Sequence, residues 1–171
     1  MVDQLTLQTI SIVLTGLTLS VAAIYYMFTL RYTRMNMKNT LETRQAQLFM
    51  QMYGRWSEAA FHDAATDIRS TNWVDFHDFK SRVLEDPKKY KSLGIMVRFY
   101  EGIGVLVKEG LIDMRFVSLL MAGDIRQFWE EIGPIIGPWR KEWNYPRLVS
   151  ETEYLSNSLI KYFDEHPELK T

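Results

Sequence analysis

Cysteine is absent from the 171 residues. Its absence removes disulfides, thiolate zinc sites, iron–sulfur clusters and cysteine nucleophiles, and leaves the redox compartment open. An excess of one charge is missing too: 20 Lys and Arg stand against 21 Asp and Glu, a net charge of -1. Without a global field to hold a polyanion, nucleic acid is not an expected partner. No internal repeat or low-complexity stretch marks a disordered arm. What is present, 47% hydrophobic and 24% charged residues, is a globular composition, and the length suits one domain or one domain with an appendage.

The charge is unevenly placed. Between Asp3 and Arg31 no side chain is charged at neutral pH, a run of 27 residues from Gln4 to Leu30. As a helix it reaches about 40 Å, more than the ~30 Å of hydrocarbon in a bilayer. Ser11, Thr15, Thr18 and Ser20 can bond their hydroxyls to the helix's own carbonyls. Tyr25, Tyr26 and Tyr32 gather at the exit end, where amphipathic rings prefer the headgroup layer. A cleaved signal peptide would need a basic leader and a small-residue cleavage site. Here Asp3 precedes the run, and Ile24-Tyr25-Tyr26-Met27-Phe28 follows Val21-Ala22-Ala23. A buried core helix is usually shorter, about 11 or 12 residues. The expectation is a transmembrane anchor over 4–30.

Arg31, Arg34, Lys38 and Arg44 follow this run and no basic residue precedes it. The positive-inside rule then places the N-terminus outside and the remainder in the cytoplasm. From Arg31 to Arg55 there are five basic residues and one acid, Glu42, whereas Trp56 to Thr171 holds 15 basic and 19 acidic. Residues 31–56 are therefore expected to form a basic juxtamembrane helix. In it, Arg31, Arg34 and Lys38 contact lipid headgroups, at about 1 kcal/mol per residue near an anionic leaflet. The acidic remainder, 57–165, is expected to form a compact multi-helix domain, with 166–171 a loose tail.

Periodicity after the run is helical throughout, so the fold class is all-α. Asn39-Thr40-Leu41-Glu42 resembles a capping box that would open a helix through Trp56; alternatively the membrane helix continues, with Leu48, Met52 and Trp56 as its apolar stripe. A helix over Ser57 to Ser70 ends at a break at Thr71-Asn72. Trp73, Phe76 and Phe79 give a short helix with an aromatic face, ending before Asp86-Pro87. Pro87 opens the most apolar helix, to Glu109, which is expected to be central. Gly102 and Gly104 inside it are expected to permit close helix crossing. Gly110 reads as its left-handed stop and Asp113 as the cap of a short helix to Met121. Asp124 is expected to cap the next helix, to Ile132, with Gly133-Pro134 and Gly137-Pro138 breaking or kinking the chain. A last helix runs from Pro146 to Glu165.

Phe99-Tyr100-Glu101-Gly102-Ile103-Gly104, Leu106-Val107-Lys108, Gly110-Leu111-Ile112-Asp113, Trp129, Pro134 and Arg140, behind an N-terminal span, resemble an uncharacterised family of short membrane-anchored helical proteins, a domain of unknown function. The likeness runs from the anchor to about residue 160. Its motifs are turns, caps and core positions, so it implies an architecture and no chemistry.

Glu58 and His62, four apart on one helix, could hold a metal with Asp63 or His77, yet the Glu-x-x-His pair of a di-iron bundle is missing and a solvated face is the plainer reading. No Gly-x-Ser-x-Gly elbow, Walker loop or dinucleotide fingerprint occurs. The Gly110 hairpin could be a helix-turn-helix, but its second helix, Met114 to Met121, offers one Arg among apolar residues. No catalytic residue, cofactor or metal is expected. Glu101 lies on a mostly apolar flank, which predicts a buried ion pair with Arg98, Arg126 or, favoured, Arg140. Trp129, Trp139 and Trp143 are either core or an interface anchor. Two functions survive: a membrane-tethered interaction module, serving a protein partner or a homo-oligomer as accessory, scaffold or regulatory subunit, and a hydrolase-like membrane enzyme or effector working near Glu58, His62 and His77.

Overall fold

A computed structural model describes residues 3–169, apart from the side chain of Gln4. Among these residues there are seven α-helices and no strand, as the periodicity requires. The chain divides into two compact units, one through Arg44 and one from Gln45.

The first unit is the N-terminal part of α1 (Gln4–Trp56). Every described side chain from Leu5 to Arg44 is exposed, including Leu14, Leu17 and Phe28. Thr9, Thr15, Thr18, Ser20 and Thr29 donate their hydroxyl protons to carbonyls four residues back, which removes most of the cost of a polar group in an apolar setting. Asn39-Thr40-Leu41-Glu42 does not open a new helix. Thr40 and Thr43 instead bond back to the carbonyls of Asn36 and Asn39, and no Gly or Pro interrupts the turn.

The second unit starts at Gln45, before the expected boundary at Ser57, because the last turns of α1 belong to its core. Phe49 is buried with its ring 5.4 Å from that of Phe116, and Leu48, Met52 and Trp56, the stripe read from the sequence, pack on the same core. The unit continues with α2 (Ala59–Arg69) and α3 (Phe76–Phe79), which runs into a π-helical turn (Lys80–Leu84). Then come α4 (Pro87–Lys108), α5 (Met114–Leu120), α6 (Ala122–Glu142) and α7 (Ser150–Glu165), and a 3-10 turn (Pro167–Leu169).

Helix α4 is the central element, packed on both α2 and α7. Asp86 caps it by accepting from the amides of Lys88 and Lys89, with Pro87 at its first position, where the missing N–H costs nothing. It ends in a Schellman motif: Gly110 takes φ 67°, the Leu111 amide donates to the Leu106 carbonyl at 2.8 Å, and the Gly110 amide donates to that of Val107 at 3.0 Å. Asp113 then caps α5. Burial of α4 is not uniform, since Val105 is 44% exposed. The close crossing expected of its glycines falls on Gly104 alone. A Cβ there would stand 2.2 Å from the Glu151 carbonyl oxygen of α7, while one on Gly102 would make only an ordinary 3.7 Å contact with Met52.

Two expectations fail at α6. Asp124 lies inside its first turn and does not cap it, because its carboxylate is drawn to Arg69. Nor do the two Gly-Pro pairs break the helix, which carries Pro134 and Pro138 in its interior. The usual obstacle to proline in a helix includes a clash with the Cβ of the preceding residue, which Gly133 and Gly137 lack. The carbonyls of Glu130 and Pro134 lose their helical donors on an exposed face, which is open to solvent, while Ile132, Ile135, Ile136 and Trp139 hold the opposite face in the core.

The last helix starts at Ser150, later than Pro146, after a turn in which Val149 takes φ 58°. That conformation is unfavourable for a β-branched residue and is held by burial of the Val149 side chain. Where a loose tail is expected, Pro167–Leu169 form a 3-10 turn, and His166 stacks on Tyr162 at 4.1 Å and donates to its carbonyl at 2.9 Å. Lys170 and Thr171 lie outside the described residues.

Candidate functional site

The basic residues that follow the apolar run are laid out by the helix itself. At 100° per residue, Met27, Arg31, Arg34 and Lys38 fall within an arc of about 60° on α1. All are exposed. Lys38 pairs with Glu42 of the next turn at 3.8 Å, both largely in solvent. Arg31 and Arg34 have no acidic partner among the described residues.

The second unit does not assemble the metal or catalytic set considered for Glu58, His62, Asp63 and His77. All four are exposed, and no three acids or histidines among the described residues are gathered closely enough to share an ion. His62 packs its ring edgewise on Trp56 at 5.3 Å.

Glu101 does not meet Arg140. Its Oε1 accepts from the Thr152 amide at 2.6 Å and from the Thr152 hydroxyl at 2.9 Å. Thr152 is the third residue of α7, whose own cap position, Val149, has no side chain able to accept. Glu101 therefore caps α7 from a neighbouring helix, and its charge lies at the positive end of the helix dipole. Arg140 turns instead to Glu153 at 2.7 Å and donates from Nε to the Leu148 carbonyl, fastening the turn between α6 and α7. The local logic, that a carboxylate on an apolar flank must find a partner, holds; the partner is a helix end.

The tryptophans separate. Trp139 is core, edge-on to Phe79 at 5.4 Å. Trp129 is half-buried over Gly133, where a Cβ would lie 3.3 Å from its ring. Trp143, at 44% exposure, and Tyr145 remain open to solvent, so of the three indoles considered as an interface only Trp143 offers a substantial apolar surface.

A polar cluster that the sequence did not announce joins α2, α4 and α6. Arg69 donates to Asp124 at 3.0 Å and its Nε lies 3.9 Å from Glu131, to which Gln127 also donates. One guanidinium thus faces two carboxylates. Burial pushes the Glu131 carboxyl above its usual range, against the pull of Arg69. Burial, reinforced by Asp124, likewise pushes the Tyr100 phenol up. The phenol oxygen of Tyr100, Nε of Arg69 and Oε2 of Glu131 are all buried without a hydrogen-bond partner in the protein. Beside the cluster an open cleft of about 340 Å³ is lined by Arg69, Asn72, Trp73, Glu131 and Pro134. No histidine lines it, and its one hydroxyl side chain, that of Thr71, donates to the Asp67 carbonyl. The sequence signal was faint: Asp124 and Glu131, seven apart, share a face of α6 with core residues, but a helix-cap role for Asp124 reads as well.

A family model described as a domain of unknown function, DUF4760, matches residues 6–159. The chain belongs to this family. No curated protein and no solved structure matches it.

Proposed function

We propose that this member of the family is a membrane-tethered helical interaction module, an accessory, scaffold or regulatory subunit of a membrane assembly. In this reading α1 crosses the bilayer over 4–30 with its N-terminus outside, and the unit from Gln45 works in the cytoplasm on a protein partner or a second copy. The observation that carries it is the exposure of the apolar helix. A window of mean hydropathy 1.8 has no buried residue, whereas the core helix of a soluble fold would be mostly buried. Basic residues on one side of the run support the orientation. Support for a binding role comes from the exposed Trp143 and Tyr145.

Alkaline carbonate extraction of native membranes tests the anchor. The full chain is expected in the pellet, and its recovery in the supernatant sinks the reading. A reporter fused to the C-terminus is expected to be active only inside the cell; activity outside reverses the orientation. Mild-detergent extraction followed by mass spectrometry is expected to return a reproducible membrane-protein partner or a multimer of the chain itself, and a monomer alone speaks against the module.

A further inference from the structure

The face of α1 that carries Arg31 and Arg34 also carries apolar side chains of the preceding turns. Ile24, Met27, Phe28 and Leu30 line a shallow groove that continues past Arg31 and Arg34 to Met35. At about 100° and 1.5 Å per residue, Ile24, Met27, Arg31 and Arg34 share an arc of about 80°, and the two arginines are stacked about 4.5 Å apart along the axis. Below them the helix is uncharged for the rest of its run. We infer that this groove is a binding site for one anionic phospholipid, its phosphate held by Arg31 and Arg34 and an acyl chain lying along Ile24, Met27 and Phe28. The inference rests on the membrane-spanning reading of α1 and adds to it a ligand and a face.

The chemistry favours this occupant. Two planar guanidiniums three residues apart can each donate two hydrogen bonds to the same phosphodiester, which a lone basic residue cannot do. Neither arginine has an acidic partner among the described residues, whereas Lys38, one turn on, is already paired with Glu42 and contributes less. The apolar wall directly below selects a phosphate that carries an acyl chain over a free one. A second copy of α1 in the same orientation would set Arg31 and Arg34 against their own like charges, so self-association on this face is disfavoured. Arg44 lies about 120° away around the helix and provides an internal control.

The test uses the full chain in nanodiscs of equimolar phosphatidylcholine and phosphatidylglycerol, released gently for native mass spectrometry. The wild-type chain is expected to retain one phosphatidylglycerol in preference to phosphatidylcholine by roughly five-fold or more, since each basic group at an anionic surface is worth about that factor. Arg31→Gln with Arg34→Gln is expected to abolish the preference, and Arg44→Gln to leave it intact. Free inorganic phosphate is expected not to displace the lipid; displacement would mean that the groove does not read the acyl chain and would overturn the proposal. Equal loss from Arg44→Gln would show a diffuse field in place of a site and would also overturn it, as would retention of a second copy in place of lipid. A chain that enters the discs but shows no preference defeats the lipid site and leaves the anchor standing. One that does not enter the discs defeats both.

Discussion

A carboxylate that caps a helix from outside its own element, as Glu101 does for α7, is worth what a good N-cap is worth. Glu101→Ala is expected to cost about 1 to 2 kcal/mol and lower the melting temperature by several degrees. Glu101→Gln keeps an acceptor but loses the charge at the helix end, and should recover part of the loss. An unchanged melt for Glu101→Ala would show that the Thr152 amide finds another partner. Glu131 sets a pH dependence of opposite sign to the usual carboxylate. Burial holds its folded pKa above the unfolded value, so between the two the folded state binds more protons than the unfolded. Its contribution to stability is therefore present at low pH and lost as pH rises from the ordinary carboxylate range through the raised value. Glu131→Gln should flatten that fall, because Arg69 keeps Asp124. Denaturant midpoints across pH 4 to 8 decide it, and an unaltered slope would count against the buried carboxylate.

Among the elements, α6 makes the sharpest demand on local sequence. Pro138 is exposed, withholds a helical hydrogen bond and costs up to ~3 kcal/mol in a helix interior relative to Ala, offset in part by its restriction of the unfolded chain. Pro138→Ala should therefore stabilise the fold. Gly137 has nothing near its missing Cβ from other elements, and helix propensity alone says that Gly137→Ala should stabilise it too. With Pro138 in place that Cβ meets the proline ring, so the single change should gain nothing, while the double change should exceed the sum of the singles. Thermal melts of the three variants test this, and simple additivity would mean that glycine is not what admits the proline.

For the whole molecule, the boundary at Gln45 separates a stretch whose side chains are all exposed from one with a packed core. A chain beginning at Asn39 is expected to be soluble and helical by circular dichroism, since it keeps Phe49, Met52 and Trp56. Starting at Ser57 should expose Phe116 and its neighbours and promote aggregation. In the full chain, changing Arg31, Arg34 and Lys38 together to Gln is expected to disturb orientation without releasing the protein from membranes. Full release would reduce α1 to a peripheral helix.

Local interactions were legible because they repeat every turn or close within a few residues. The uncharged run, the all-helical periodicity, the Asp113 cap, the Pro87 start and the Gly110 stop each depend on residues at most a few positions apart, so the sequence alone determined them. Three features depended on which helices meet, and only the tertiary structure decided them. Glu101 on its apolar flank needs a partner, but whether an arginine or an open helix end meets it is set by the crossing at Gly104, which presses α4 against the start of α7. Asp124 reads locally as a cap, and it pairs instead because α2 brings Arg69 to it. The Gly-Pro pairs of α6 have a local propensity to break, and the burial of Ile132, Ile135, Ile136 and Trp139 on the opposite face outweighs it, because a proline whose orphaned carbonyl faces water costs less than exposing that face.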